Sequence, residues 1–188
     1  MDYLSARVSV QRDGAHTSIV ISPRLSAVKQ TLLVSWTTAW TLCGAYILFE
    51  LLRMPSGDQR TFTLTFIAFW TYFEIRLLRV LAWRLKGFEL IRVKEGVITI
   101  KNSVLGYGRA HEFFIENVQS LGPLTIDPSS WTWQLNDSFW VMGGERLGFE
   151  HLGKRVVFGK GLSDTEMTDL LRTLKEALKR PHRDLRDQ

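Results

Sequence analysis

The four histidines and the single cysteine are the side chains best suited to metal binding or nucleophilic catalysis, but their spacing fits neither. None of the four histidines has a second ligand at a metal-binding distance along the chain: His16, His111, His151 and His182. Cys43 stands alone in an apolar run, which excludes a disulfide scaffold and gives no believable Cys/His pair. We therefore expect no metal site and no cofactor.

Two glycine-rich segments have the composition of phosphate-binding loops without their spacing. Gly143-Gly144 and Gly159-Lys160-Gly161 lack the Gly-x-x-x-x-Gly-Lys-Ser/Thr pattern and fit β-turns better. The chain also has no Gly-x-Ser-x-Gly elbow and no paired carboxylates outside surface contexts. The residue types therefore predict that the protein is not an enzyme.

Two apolar stretches dominate the 188 residues, although the mean hydropathy of the chain is only −0.02. Residues 31–52 carry no charge before Glu50, and residues 61–83 carry none up to Phe73. At 1.5 Å per residue, each stretch spans roughly 30 Å, the thickness of a bilayer core. Pro55 and Gly57 mark a turn between them. We predict two transmembrane helices, 31–52 and 61–83.

The alternative is a pair of core helices in a soluble domain. Aromatic residues point in all directions from both stretches, which leaves no polar face for solvent. A cleaved signal peptide is also disfavoured, because the first stretch is too long and no small-residue cleavage site follows it.

Basic residues flank the two stretches on the side of the chain termini. They are Arg7, Arg12, Arg24 and Lys29 before the first stretch, and Arg76, Arg79, Arg84, Lys86, Arg92 and Lys94 at the end of the second or after it. The link carries only Arg53 and Arg60, offset in part by Asp58, so the positive-inside rule predicts that both termini are cytoplasmic. Anionic lipid headgroups, rather than nucleic acid, are the expected partners of this basic collar.

Glu74 is the most unusual residue of the two stretches. Folding the pair about residue 56 brings it near Thr37 and Thr38, whose hydroxyl groups could bond a carboxyl group. One interpretation is a proton site or an ion pair with a partner subunit. The other is that Glu74 lies in the inner-leaflet interface, with Arg76 and Arg79 snorkelling beside it.

The segments outside the apolar stretches are rich in strand patterns. Residues 7–22 alternate apolar and polar around Asp13-Gly14, which predicts a β-hairpin that packs on the later domain or on a partner. Further strands are predicted at 88–93, 97–101, 108–115, 138–142, 147–151 and 155–158. A capping box at Ser163 and Glu166 then opens a C-terminal helix with an apolar face, formed by Met167, Leu170, Leu171, Leu174 and Leu178.

In this order of parts the chain resembles bacterial pleckstrin-homology-like (PH-like) membrane proteins, in which a β leader precedes a two-helix hairpin and a PH-like domain. The resemblance is carried by the leader end Ile-Val-Ile-Ser-Pro-Arg24, Trp36 and Trp40, the run 83–89, Gly96-Val-Ile-Thr-Ile100, Gly106-Tyr-Gly-Arg109, Gly148-Phe-Glu150 and Phe158-Gly-Lys-Gly-Leu162. It implies an α+β protein of the bacterial inner membrane, whose cytoplasmic β-sandwich or barrel has a C-terminal capping helix.

The segment 123–137 looks longer than the corresponding connection in that family, and it introduces an aromatic cluster. Trp131 and Trp133 lie on one side of an extended chain, and Trp140 follows closely. Such tryptophans dock on a partner or enter the headgroup layer, unless they fold back over the sheet.

We therefore expect a leader at 1–30, a transmembrane hairpin at 31–86, a PH-like cytoplasmic domain at 87–180 and a charged tail at 181–188. The expected function is a non-catalytic scaffold or accessory subunit bound to other integral membrane subunits; the alternative is an inner-leaflet lipid or peptide sensor. The candidate partner or lipid contacts are Trp131, Trp133, Trp140, Glu74, Arg76, Arg79, Arg84 and Lys86.

Overall fold

The computed structural model describes residues 2–13, 16–124 and 141–179. This part of the chain has an α+β fold with three helices and two antiparallel sheets. Its elements are β1 (Asp2–Tyr3), β2 (Val8–Asp13), β3 (His16–Ile21), α1 (Ala27–Arg53), α2 (Asp58–Lys86), β4 (Gly87–Lys94), β5 (Val97–Val104), β6 (Ala110–Phe114), a 3-10 turn (Ile115–Asn117), β7 (Val118–Pro123), β8 (Glu145–His151), β9 (Lys154–Lys160) and α3 (Asp164–Lys179).

The larger sheet contains strands that precede the two long helices in the sequence and strands that follow them. Its six strands run in sequence order from β1 to β6, and β7, β8 and β9 form the smaller sheet. At the centre of the larger sheet, β3 pairs antiparallel with β4, so that Ile19 lies opposite Ile91 and Val20 opposite Leu90. The hairpin formed by β2 and β3 therefore packs on the later β region as part of the same sheet.

The core lies between the two sheets and α3. Its buried side chains are Val8, Val10, Ile19, Ile21, Ile91, Val93, Ile98, Ile100, Leu147, Phe149, Phe158, Leu162, Leu170, Leu174 and Ala177. Alternate residues of the strands supply most of them, as expected for sheets with one buried face.

The C-terminal helix forms and packs as the sequence predicted. Ser163 Oγ accepts a hydrogen bond from the backbone N–H of Glu166, and Glu166 Oε2 accepts one from the backbone N–H of Ser163. This reciprocal capping box satisfies backbone donors at the start of α3. Leu170 and Leu174 are buried in the core, and Met167, Leu171 and Leu178 pack at its margin.

The helices α1 and α2 lie against each other, joined by a link of only four residues, 54–57. Trp70 of α2 covers Gly44 of α1 so closely that a Cβ atom at position 44 would lie 1.9 Å from the indole ring. The Trp70 indole N–H donates to the carbonyl oxygen of Trp40 at 3.3 Å. The absence of a side chain at Gly44 is therefore what allows this close approach.

In the described part of the chain, α1 is the one helix that is long and apolar enough to cross a membrane. Length and composition do not separate such a span from a core helix or a signal sequence, but only 17% of its most apolar window is buried. In α2, the uncharged stretch ends at Phe73 and is followed by Glu74, Arg76 and Arg79.

One strand prediction was wrong where it can be compared. The predicted strand at 138–142 lies partly outside the described residues, and its described part, Val141 and Met142, is not in a strand. Two strands, β1 and β7, were not predicted from the sequence.

Candidate functional site at the helix–sheet junction

The last turn of α2 continues into β4 without a linker, because Lys86 ends the helix and Gly87 begins the strand. A Cβ atom at position 87 would lie 2.4 Å from the carbonyl oxygen of Trp83, so glycine is required for this direct passage. Trp83 and Arg84, in the last turn, are both buried. The long helix is thus anchored in the sheets through its own side chains.

Arg84 connects three segments of the chain. Its Nη1 donates to the carbonyl oxygen of Pro23 at 3.1 Å, and its Nη2 donates to the carbonyl oxygen of Val141 at 2.7 Å. Pro23 precedes α1, whereas Val141 precedes β8 of the smaller sheet. A buried guanidinium is stabilised by such charge-assisted hydrogen bonds. The sequence assigned Arg84 to the lipid-facing collar, but its guanidinium binds the chain itself.

Glu89, two residues after Gly87 in β4, is a second buried residue with an ionisable side chain at the junction. Its Oε2 accepts hydrogen bonds from the backbone N–H groups of Gly159 (3.0 Å) and Lys160 (3.1 Å). Burial raises the pKa of Glu89, although these hydrogen bonds and the Lys160 charge act in the opposite direction. Glu89 therefore fastens the first strand after α2 to the end of β9.

Lys160 joins the same cluster from the smaller sheet. Its ammonium group lies 5.5 Å from the centre of the Trp83 ring and 3.7 Å from a carboxylate oxygen of Glu145. A cation over an indole face is attracted by the negative charge of the ring's π-system. This contact ties β9 to the last turn of α2.

An ion pair attaches the leader to the start of α3. Arg7 pairs with Glu166, and the Ser5 hydroxyl donates to Glu166 Oε1 at 2.8 Å. Arg7 Nη2 also donates to the carbonyl oxygen of Gly161 at 3.0 Å. Burial alone would raise the pKa of Glu166, but the hydrogen bonds from Arg7, the Ser163 N–H and Ser5 lower it to about 2.

The junction holds several segments of the chain together. Its charged groups are engaged with backbone groups or with one another, as the distances above show. Among residues 2–13, 16–124 and 141–179, no group of three or more His, Cys, Asp or Glu side chains could hold a metal ion.

Glu74 lies in the interface between α1 and α2. Its Oε1 is 2.7 Å from the Thr41 hydroxyl, which is also 2.8 Å from the carbonyl oxygen of Thr37. The sequence placed Glu74 near Thr37 and Thr38. Helical side chains lean towards the N-terminus of their own helix, which for Glu74 is the end joined to α1, so the carboxyl group reaches Thr41, one turn further along α1.

The Thr41 hydroxyl has one proton for these two oxygen atoms. It lies within hydrogen-bonding distance of both acceptors, the Glu74 carboxyl group and the Thr37 carbonyl group, and donates to one or the other. Glu74 Oε2 is buried and has no hydrogen-bond partner in the described ranges. The contact is thus a polar bond between two helices whose outer surfaces are apolar.

The remaining predicted contacts are exposed or fall outside the described residues. Arg76, Arg79 and Lys86 are exposed on α2, and Arg76 Nη1 donates to the Tyr72 hydroxyl at 2.9 Å. Trp131, Trp133 and Trp140 lie outside the described residues. The structure therefore separates Arg84, which is buried at the junction, from the other basic residues of the collar.

Two features of these contacts were not predicted from the sequence: the buried carboxylate of Glu89 and the pairing of Arg7 with Glu166. Glu89 alternates with Ile91 and Val93 on the core face of β4, and a carboxylate at such an inward position was a detectable signal. The pairing of Arg7 with Glu166 joins residues 159 positions apart, and no local pattern could indicate it.

No family model matches this chain, and the comparison with curated proteins found no match.

Proposed function

We propose that the protein is a two-pass membrane scaffold, in which α1 and α2 cross the bilayer and the β region braces a partner membrane protein from the cytoplasmic side. The observation that carries this proposal is the pairing of β3 with β4. It ties the chain before α1 to the chain after α2 by backbone hydrogen bonds, so both lie on one side of any membrane.

Because of this pairing, whether α2 crosses the membrane depends on whether α1 does. If α1 crosses a bilayer, α2 has to return across it, since β3 and β4 are neighbours in one sheet. Removal of a signal sequence ending within or after α1 would delete β1, β2 and β3, with core residues such as Ile19 and Val10. This architecture favours two retained spans over a cleaved segment or a single span.

The surfaces of both helices support the same proposal. Large apolar side chains are exposed along each of them: Leu32, Trp36, Leu42, Tyr46, Phe49 and Leu52 on α1, and Phe62, Leu64, Phe66, Phe69, Phe73, Ile75 and Leu78 on α2. An apolar surface of this extent is unfavourable in water and favourable in lipid. Basic residues at the ends joined to the sheets orient the β region towards the cytoplasm.

The rigid junction favours a scaffold over a lipid or peptide sensor. Trp83, Arg84 and Glu89 bind the last turn of α2 and the start of β4 to three other segments, with no flexible tether between helix and sheet. A brace requires such a fixed angle between its membrane and soluble parts. The sequence resemblance to PH-like membrane proteins fits this role, because those domains act as adaptors or assembly factors more often than as enzymes.

Cysteine labelling in intact cells tests the topology. In a Cys43→Ala background, Ser56→Cys in the link should react with a membrane-impermeant maleimide from outside, and Ser163→Cys should react only after permeabilisation. Reaction at position 163 in intact cells, with position 56 protected, would overturn the proposed orientation.

Gentle solubilisation tests the scaffold role. We expect a membrane protein to co-purify in stoichiometric amount, and a monomer carrying only anionic lipid would favour the sensor instead.

Trp131→Ala/Trp133→Ala tests the aromatic segment as the docking contact. If the tryptophans dock, partner recovery should fall at least about tenfold with the melting temperature retained. A melting temperature that falls while recovery per folded molecule stays normal would exclude this contact.

A further inference from the structure

The turn between β5 and β6 lies beside the end of α2. Val104 and Tyr107 exchange two backbone hydrogen bonds, of 2.8 and 3.0 Å, across the turn residues Leu105 and Gly106. The backbone N–H of Leu105 is directed at the carbonyl oxygen of Lys86, the last residue of α2, at 3.4 Å. The turn therefore belongs to the end of the β region from which the long helices emerge.

The tip of this turn presents two large side chains to solvent. Leu105 is 62% exposed and Tyr107 is 84% exposed. Leu105 and Gly106 have φ angles of +53° and +85°, the signs of a type I′ turn, in which asparagine or glycine is favoured over leucine at the first position. An apolar, strained residue is thus held at the tip.

Two other turns provide an internal comparison. Glu95-Gly96 and Leu152-Gly153 have the same pair of positive φ angles, and Leu152 is 73% exposed. Both turns lie at the end of the β region that is remote from α2. β4 begins at the end of α2 and finishes at the Glu95 turn, and the hairpin of β8 and β9 has Lys160 of the junction at one end and the Leu152 turn at the other. Turn geometry therefore does not distinguish Leu105 from Leu152, whereas position does.

The contacts between α1 and α2 indicate at which point along the two helices the turn between β5 and β6 lies. The contact between Thr41 and Glu74 holds the two helices side by side, so that Lys86, at the end of α2, lies near the start of α1, whose first turn carries Lys29, the last charged residue before the uncharged stretch. Lys29 and Lys86 are both exposed, as is Arg109, two residues after Tyr107. The turn thus lies at the boundary between apolar and charged helix surface, among cations that complement anionic headgroups.

We propose that Leu105 and Tyr107 enter the headgroup layer of the bilayer crossed by α1 and α2, with Lys86 and Arg109 bound to lipid phosphates. Tyrosine favours this interface because its ring is apolar and its hydroxyl remains hydrated. The turn gives the protein a third point of contact with the membrane, beside the two helices. It fixes the tilt of the whole molecule in the bilayer, because a helix pair joined rigidly to the β region can still tilt as one unit relative to the membrane. This inference rests on the two-pass arrangement proposed above.

The depth of nitroxide labels in the full-length protein tests the proposal. Leu105→Cys and Leu152→Cys, each in a Cys43→Ala background, are labelled and reconstituted into mixed phosphatidylcholine–phosphatidylglycerol vesicles, and native Cys43 is labelled separately. Collision with oxygen, which concentrates in lipid, is compared with collision with a water-soluble nickel chelate. Tyr107→Cys serves as the reporter if Leu105→Cys does not fold.

We expect the oxygen-to-nickel accessibility ratio to be several-fold higher at position 105 than at position 152, where the same residue type occupies the same kind of turn. Equal, water-like values at 105 and 152 with a lipid-like Cys43 would overturn the anchor and leave the two-pass arrangement intact. A water-like Cys43 would overturn the two-pass arrangement, and the anchor with it.

Discussion

Glu166 illustrates how single residues of this chain serve two structural purposes. It closes the capping box with Ser163 and also pairs with Arg7 of the leader. Because its pKa of about 2 in the folded protein lies below the ordinary value of 4.5, the ionised form stabilises the fold above pH 4.5. That stabilisation is lost as the pH falls from about 4.5 towards 2.

We predict that Glu166→Gln lowers the free energy of unfolding at pH 7 by about 1.5–3 kcal/mol, since hydrogen bonds to charged groups contribute that much. The difference from the unsubstituted protein should shrink between pH 4.5 and 2. Glu176→Gln on the same helix is the control, because Glu176 is exposed and its 3.7 Å contact with Arg12 should contribute little. Denaturant titration in detergent across this pH range measures both; a pH-independent difference would contradict the role assigned to ionised Glu166.

The interface between α1 and α2 depends on close backbone approach at Gly44. We predict that Gly44→Leu lowers the free energy of unfolding in detergent by up to about 2 kcal/mol, because overpacking costs about 1–3 kcal/mol and better helix propensity offsets about 1. The new side chain would displace Trp70 and break its hydrogen bond to Trp40. Ala45→Leu is the matched control, since Ala45 is the next residue and is exposed. Equal effects of the two substitutions would show that the helices do not pack through Gly44.

Elements defined by local patterns were predictable from the sequence. The hairpin of β4 and β5 was signalled by alternation around Glu95-Gly96, and α3 by its capping box and apolar spacing. In contrast, β7 has an irregular register between Gln119 and Gly122 and a left-handed Ser120, so the two-residue period is lost. The two residues of β1 are too few to form a pattern.

The junction was less predictable, because its contacts join distant parts of the sequence. A basic residue after an apolar stretch resembles any other member of a charged collar, and only the fold distinguishes buried Arg84 from exposed Lys86. Likewise, the alternation in the leader predicted a hairpin but left open whether it packs on this chain or on a partner. In the structure β3 pairs with the edge of β4 in the same chain. Such an edge forms only when the sheet assembles, so the sequence pattern of the leader could not reveal it.

At the scale of the whole molecule, the two halves of the chain are held together twice, once between α1 and α2 and once between β3 and β4. We therefore predict that a protease site placed in the link at 54–57 can be cut without separating the fragments. An affinity tag on the N-terminal fragment should recover the C-terminal fragment from mild detergent in equal amount. Ile19, fully buried opposite Ile91, provides the control. Ile19→Asp places a charge in the core and should disrupt the sheet, leaving only the helix contacts.

The two sets of contacts predict different outcomes for the cut protein. If the sheet contributes as its buried residues indicate, cut Ile19→Asp protein should release its C-terminal fragment in detergents that weaken helix association, whereas cut protein with native Ile19 should not. Release of the fragment from both forms would show that the link, rather than the sheet, holds the halves together. The β3–β4 pairing would then no longer require α2 to return to the side of the membrane from which α1 departs.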